Sequence, residues 1–254
     1  LEAYELYLRA QSHFHLLTDN DNREAIKLTA LALERDPDYA AAAGLMAWLH
    51  IQRMVQGLEP VGEGPKSAVA AAEKVLTSDR ADGIAMAYAA HSISMLARDL
   101  PRAREAFKQA LAENPNAATV HMLASMNLFL LDRPQDALEH ASQAIVLSPH
   151  DPLRHAAYLV QGCAFFHMGR YEEAAEACRN ALAVRSGFVM SHLMLIASLG
   201  QLDKVDVAQA AVSDLQALRP EITASSPQAQ MPIFTVPASA ENCREGWLKA
   251  GLPQ

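Results

Sequence analysis

The chain has 254 residues, 51% of them hydrophobic and only 6% aromatic, with a formal net charge of −8. That length buries a sizeable core, and the acidic balance without a basic patch argues against a nucleic-acid partner. The longest apolar stretch, 40–49, falls well short of the roughly 18–20 residues needed to cross a bilayer, so no membrane insertion is expected.

Ala and Leu are abundant, Gly is scarce and no β-branched alternation occurs, so helices are expected throughout. Residues 2–37 form a first helical pair ending in ALALERDP, with Ala25, Ala32 and Pro37 in register and a lengthened turn at TDNDNR. Residues 39–80 place Leu45, Met46 and Trp48 in one helix and SAVAAAEKVLTSD in a second. Between them the string QGLEPVGEGPKS reads as an insertion. From residue 84 the pattern becomes regular. Ala103, Ala137, Ala174 and Ala208 recur at intervals of 34, 37 and 34 residues, and the extra three residues fall in the loop HDPLR. Pro115, Pro149 and Pro220 punctuate the same register, with Ser186 standing in at the third unit. A small residue early in a second helix lets two helices cross closely, and a proline beyond its end forbids continuation.

The clearest unit is 156–186, AAYLVQGCAFFHMGRYEEAAEACRNALAVRS. Gly162 reads as the close-approach residue, Phe165 as an aromatic plug, Gly169 as the helix stop and Tyr171 as packing in the turn. Ala174, Cys178 and Ala181 read as the inner face of the second helix. This unit resembles the tetratricopeptide repeat, with Cys178 where an aromatic is usual. The resemblance implies an all-α, right-handed α-α superhelix of about five helical pairs plus a C-terminal capping tail and helix. The expected divisions are a solenoid over 1–226, with units near 2–37, 39–80, 84–117, 118–151, 155–188 and 189–222, and a tail over 227–254. The tail holds an extended, proline-punctuated run at 227–237 and a short helix at 239–250, with Ser239 as N-cap and Gly251 as stop.

Several strings narrow the resemblance: AYELYLRA, RDPDYAAAAGLMAW, RAREAFKQALAENPN, LSPHDPLRHAAY and REGWLKAGLPQ. They are similar to the C-terminal repeat region of proteobacterial class III adenylate/guanylate cyclase-like proteins, in which a TolB-like segment precedes the repeats. The resemblance implies a parent protein with its catalytic or DNA-binding domain upstream. A first residue of Leu1 rather than Met fits a piece of a longer chain. No cyclase residue is present to carry over, and no GxSxG, HExxH or P-loop occurs, so this chain is not expected to be an enzyme. Three cysteines, Cys163, Cys178 and Cys243, without a CxxC pair suit a reducing compartment, and a cytoplasmic location is expected. No cofactor or metal is expected. His13 and His15 are two residues apart and do not share a helix face. The calcium-like DNDN at 19–22 lacks glycine and glutamate at the sixth and twelfth loop positions, where Glu24 and Ala30 stand.

In the resembled family the first helices line a concave groove. The family geometry implies Tyr88, Met95, Met122, Met126, Phe129, Leu159, Cys163, Phe166, Met190 and Leu193 as its lining here. That lining is apolar and methionine-rich and lacks the Lys/Asn/Arg set with which some relatives clamp a terminal carboxylate. It suits pliable recognition of apolar side chains, and a groove of this kind needs covering. The expected occupant is a partner protein or peptide with apolar side chains, or the chain's own tail anchored by Ile233 and Phe234. Of the two placements for that tail, a cap on the last helix pair is preferred over a groove filler, since solenoid ends need covering. The function expected is a protein-interaction or scaffolding module, regulatory within a bacterial signalling protein. The alternatives are a small-molecule sensor or a self-association domain, such as a homodimer contact, controlling a fused output domain.

Overall fold

The computed structural model describes residues 2–16, 18–55, 63–226, 229 and 233–254. Among them are thirteen α-helices. The first six are α1 (Ala3–Phe14), α2 (Asp19–Arg35), α3 (Ala40–Val55), α4 (Glu63–Leu76), α5 (Gly83–Ser92) and α6 (Leu100–Glu113). The next six are α7 (Ala118–Leu130), α8 (Pro134–Leu147), α9 (Arg154–His167), α10 (Tyr171–Val184), α11 (Val189–Gln201) and α12 (Val205–Leu218), and α13 (Pro237–Ala250) comes last. A single π-helical segment, Ile93–Ala97, continues α5. The chain divides into two compact units, Leu1–Asn127 and Leu128–Gln254.

Helices pair consecutively, and within each unit the second helix of one pair packs on the first helix of the next: α2 on α3, α4 on α5, α8 on α9 and α10 on α11. Within the units the consecutive pairings are α1 with α2, α3 with α4, α5 with α6, α9 with α10 and α11 with α12, and both irregular N-terminal segments hold a complete pair. The recurring alanines explain the close crossings. Ala103, Ala137, Ala174 and Ala208 are each fully buried, as are Ala25, Ala32, Cys178 and Ala181. At Gly162 an added Cβ would lie 2.6 Å from Cys178 Sγ, so the bare backbone is what lets α9 meet α10. The sulfur there fills space that a larger side chain on α9 would claim.

The turn between helices within a pair repeats one backbone device. Arg98, Asp132, Gly169 and Asp203 all take left-handed conformations, with φ of 57°, 58°, 74° and 52°. Their spacing reproduces the alanine spacing of 34, 37 and 34 residues, and only Gly169 advertises the conformation by its type. A side chain in this region is strained by about 1–2 kcal/mol. Asp203→Gly is therefore expected to raise stability by about 0.5–1 kcal/mol, read as a higher denaturant midpoint at unchanged slope. Asp203 suits the test because its side chain is largely exposed and its ion pair with Lys249 is long at 3.7 Å. A lower midpoint would show that this contact outweighs the strain.

Three details differ from the sequence expectations. The string TDNDNR is no extended turn: Thr18 caps α2 by accepting from the Asp21 N–H, and DNDN forms the helix's first turn. Its carboxylates are engaged locally, Asp19 with Arg53 (2.7 Å) and Arg23 (3.1 Å), and Asp21 with Thr18. Acidic residues here also favour the positive end of the helix dipole. The expected insertion after α3 is partly helical, since α4 already begins at Glu63, while 56–62 lies outside the described residues. The last helix is capped at Val236, not Ser239. Pro237 at its first position, where no N–H is missed, is the stronger start signal. Gly251, at φ 81°, ends it as expected.

Candidate functional site

The first helices of the pairs carry the apolar faces expected to bind partners. In the N-terminal unit, Phe14 on α1, Trp48 on α3 and Tyr88 on α5 form a ring ladder. Trp48 lies 4.5 Å from Phe14 and 4.7 Å from Tyr88, centroid to centroid. His91, one turn on from Tyr88, stands edge-on to Trp48 at 6.3 Å. Its Nδ1 is buried with no hydrogen-bond partner among the described residues, and burial pushes its pKa down to about 4. Of the candidate groove residues in this unit, Tyr88 and Met122 are buried, whereas Met95 and Met126 are half-exposed. Met95 belongs to the π segment, whose neighbour Ser94 accepts a hydrogen bond from Asn127 at 3.2 Å.

In the C-terminal unit the candidate residues are more deeply buried: Phe129, Leu159, Cys163, Phe166, Met190 and Leu193 all lie at or below 5% exposure. The tail supplies part of the cover. Phe234 stands 5.6 Å from Phe129 and 5.7 Å from Phe166, ring centroid to ring centroid, and Ile233 beside it is half-buried. The rest of the expected extended run, Pro227, Gln228 and 230–232, lies outside the described residues. Phe165, expected as the plug, is instead half-exposed under the Arg170 guanidinium at 4.5 Å, and its neighbour Phe166 takes the core position against Tyr171.

The larger cover is α13, which lies along α11 and only grazes α12. The Trp247 indole N–H donates to the Leu193 carbonyl at 2.7 Å. Gly246 meets the α11 backbone so closely that a Cβ there would sit 2.3 Å from the Ala197 carbonyl oxygen. At the other end of α13, the Ser239 hydroxyl lies 2.8 Å from His167 Nδ1, while His167 Nε2 lies 3.0 Å from the Asp132 carboxylate. A carboxylate only accepts, so in the neutral ring Nε2 carries the proton and Nδ1 accepts from Ser239. His167, Gly246 and Trp247 were not among the expected site residues, and Ser239 was expected only as an N-cap. Their visible signal is the spacing of Ser239, Cys243, Gly246, Trp247 and Ala250, one stripe of a helix.

The three thiols are free and buried. Burial pushes the Cys163 thiol up to about 12 and those of Cys178 and Cys243 well above their usual value. Thiols so poorly ionised are packing groups rather than nucleophiles. Among the described residues no helix is long and apolar enough to cross a membrane.

Residues 97–152 and 131–187 each match the family model of the tetratricopeptide repeat. No curated protein sequence matches the chain. Among solved structures, the chain is similar to one in the APC/C hetero-tetramer Cut9-Hcn1, at TM-score 0.64 and 14% identity. That match covers 95% of this chain but 46% of the other, so this chain spans about half that protein's length. It is also similar to PilW, a type IV pilus biogenesis factor, at TM-score 0.59 and 20% identity, over 80% of this chain and 90% of that one. A third is a thermophilic tetratricopeptide-repeat protein of Thermus thermophilus, TTC0263, at TM-score 0.57 and 17% identity, over 78% and 98%. Tetratricopeptide proteins are protein-interaction and scaffolding modules. The chain thus has the all-α superhelical fold of the tetratricopeptide repeats, with that family's sequence signature across residues 97–187.

Proposed function

We propose that this chain is a protein-interaction module that recognises apolar segments on the first-helix faces of its repeats. The observation that carries the reading is the half-exposure of two methionines in the N-terminal unit: Met95, in the π segment that continues the helix of buried Tyr88, and Met126, on the helix of buried Met122. Unbranched thioether side chains adapt to differing apolar partners without a fixed pocket. In the C-terminal unit, Phe129, Phe166 and Leu193 are held instead by Phe234 and α13, an occupant from the chain itself. The strings from AYELYLRA to REGWLKAGLPQ support a place for the module at the C-terminal, regulatory end of a bacterial signalling protein such as a class III nucleotide cyclase.

The test is capture of partners by the immobilised chain and by a Met95→Ser/Met126→Ser variant. Each truncation removes apolar contact worth on the order of 1 kcal/mol, so capture by the variant falls about ten-fold or more at unchanged helical content. A folded variant that captures the same proteins at the same level would rule this face out.

A further inference from the structure

A helix that simply continued the stack would pack as each first helix does, on the second helix of the pair before it. The way α10 meets α11 is the pattern for such a cap. Instead α13 turns onto α11, and the far side of α12 keeps Val207 and Leu218 exposed. It is an occupant of the first-helix face, so its departure removes no layer of the repeat stack.

The fit on that face is specific. The buried stripe of α13 is Ser239, Cys243, Gly246, Trp247 and Ala250. At the crossing, backbone lies against backbone: a Cβ on Gly200 would fall 1.9 Å from the Gly246 carbonyl oxygen, and one on Gly246 2.3 Å from that of Ala197. Only glycine passes on either helix, because the obstructing atoms are main-chain atoms that no side-chain rotation moves. At the next position the Trp247 indole is 6% exposed, and its N–H reaches the Leu193 carbonyl. Toward the helix start, small side chains keep the helix close, and Ser239 meets His167. Gln201 Nε2 donates to the Asn242 carbonyl at 2.5 Å, a contact to main chain that any helix in this place offers.

We propose that the face of α9 and α11 is a helix-docking site and that α13 is its tethered resident. The site takes, in trans, a helix of another protein chain carrying the pattern small–x3–small–x2–Gly–Trp–x2–small, as in the run from Ser239 to Ala250. This rests on the interaction reading above and names the chemistry of the partner for the C-terminal unit. Because α13 follows α12 in the same chain it is held at a high local concentration, so a competing helix gains access only when α13 is weakened or outbid.

The probe is a fluorescent peptide of residues 233–254, titrated into the full chain and into its Gly246→Ala variant and followed by anisotropy. The Gly246→Ala chain has its own helix forced off the crossing and is expected to bind the probe at least about ten-fold tighter than the unaltered chain. A probe carrying Gly246→Ala itself is expected to bind at least about ten-fold more weakly to that same variant. Equal binding by the two chains, or equal binding of the two probes, overturns the proposal while the variant retains its helical signal. A Trp247→Ala chain serves as second variant. If both variants lose the cooperative melt of the C-terminal unit, α13 is an integral part of that unit and the proposal fails. None of these outcomes bears on Met95 and Met126, which lie in the other unit, so the interaction reading stands or falls separately.

Discussion

Trp48→Ala is expected to lower the stability of the N-terminal unit by about 3–5 kcal/mol. Trp48 is 5% exposed and sits on α3 between α1 and α5, both of which α3 contacts. Its ring is in contact distance of Phe14 on one side and Tyr88 on the other, with His91 edge-on. Truncation thus leaves a cavity where three first helices converge, and it also breaks two tilted ring pairs worth about 0.5–1.5 kcal/mol each beyond their buried area. Neighbouring Leu45 and Leu49 are themselves fully buried and locked in a dense core, so collapse into the space is limited. The measurement is denaturant unfolding followed by far-UV circular dichroism, with Tyr4→Ala as reference. Tyr4 is 61% exposed, and its removal is expected to stay within about 0.5 kcal/mol. A Trp48 variant that also stays below about 1 kcal/mol would mean that the ladder is packed too loosely to support the unit.

That ladder shows which parts of the fold are legible in sequence. A position that must be small to let helices cross leaves a compositional mark, and Ala103, Ala137, Ala174 and Ala208 carry it in strict register. A position defined by backbone conformation leaves none when the residue is not glycine. Arg98, Asp132 and Asp203 occupy the left-handed turn beside Gly169, yet nothing in their types says so; only the shared interval does. Neighbouring residues of one type are ambiguous at helical period, which is why Phe165 reads as well as Phe166 until the Arg170 guanidinium over Phe165 settles which faces out. Ser239 fails as a cap for a similar reason: serine suits both an N-cap and a close helix contact, and the pairing with His167, 72 positions away in the chain, is a tertiary fact. The same holds for α13 as a whole. Gly200 and Gly246 are both plain in the sequence, but that they face each other follows from the fold alone. The apolar character of the first helices is legible, and so is the tail with Phe234 as a candidate occupant; the seating of α13 on α11 is not.

Mild acid is expected to destabilise both units between about pH 6.5 and 4, through one histidine in each. Burial pushes His91 of the N-terminal unit and His155 of the C-terminal unit down to about 4 from an ordinary value of 6.5. The His91 Nδ1 has no hydrogen-bond partner among the described residues, and burial disfavours the charged ring. His155 is 3% exposed, with Nδ1 2.9 Å from the Pro152 carbonyl and Nε2 3.4 Å from the Arg185 guanidinium. Nδ1–H therefore donates to Pro152, and a second proton on Nε2 would face a cation. The sign follows directly. Both rings are neutral in the folded chain, while the unfolded chain takes up protons once the pH drops below 6.5. Stability is therefore fully present above that value and is lost as pH falls toward 4. The span corresponds to a loss on the order of 3 kcal/mol for each histidine. Carboxylates held low by arginine partners, such as Asp19 by Arg53 and Glu73 by Arg102, lose their contribution only at lower pH, so the two effects separate. Unfolding free energies from urea titrations at pH 7.5, 6.0 and 4.8 measure the slope, and a His91→Phe/His155→Gln chain is expected to flatten it. If the slope between pH 6.0 and 4.8 survives that double substitution unchanged, these two rings are not what senses the acid.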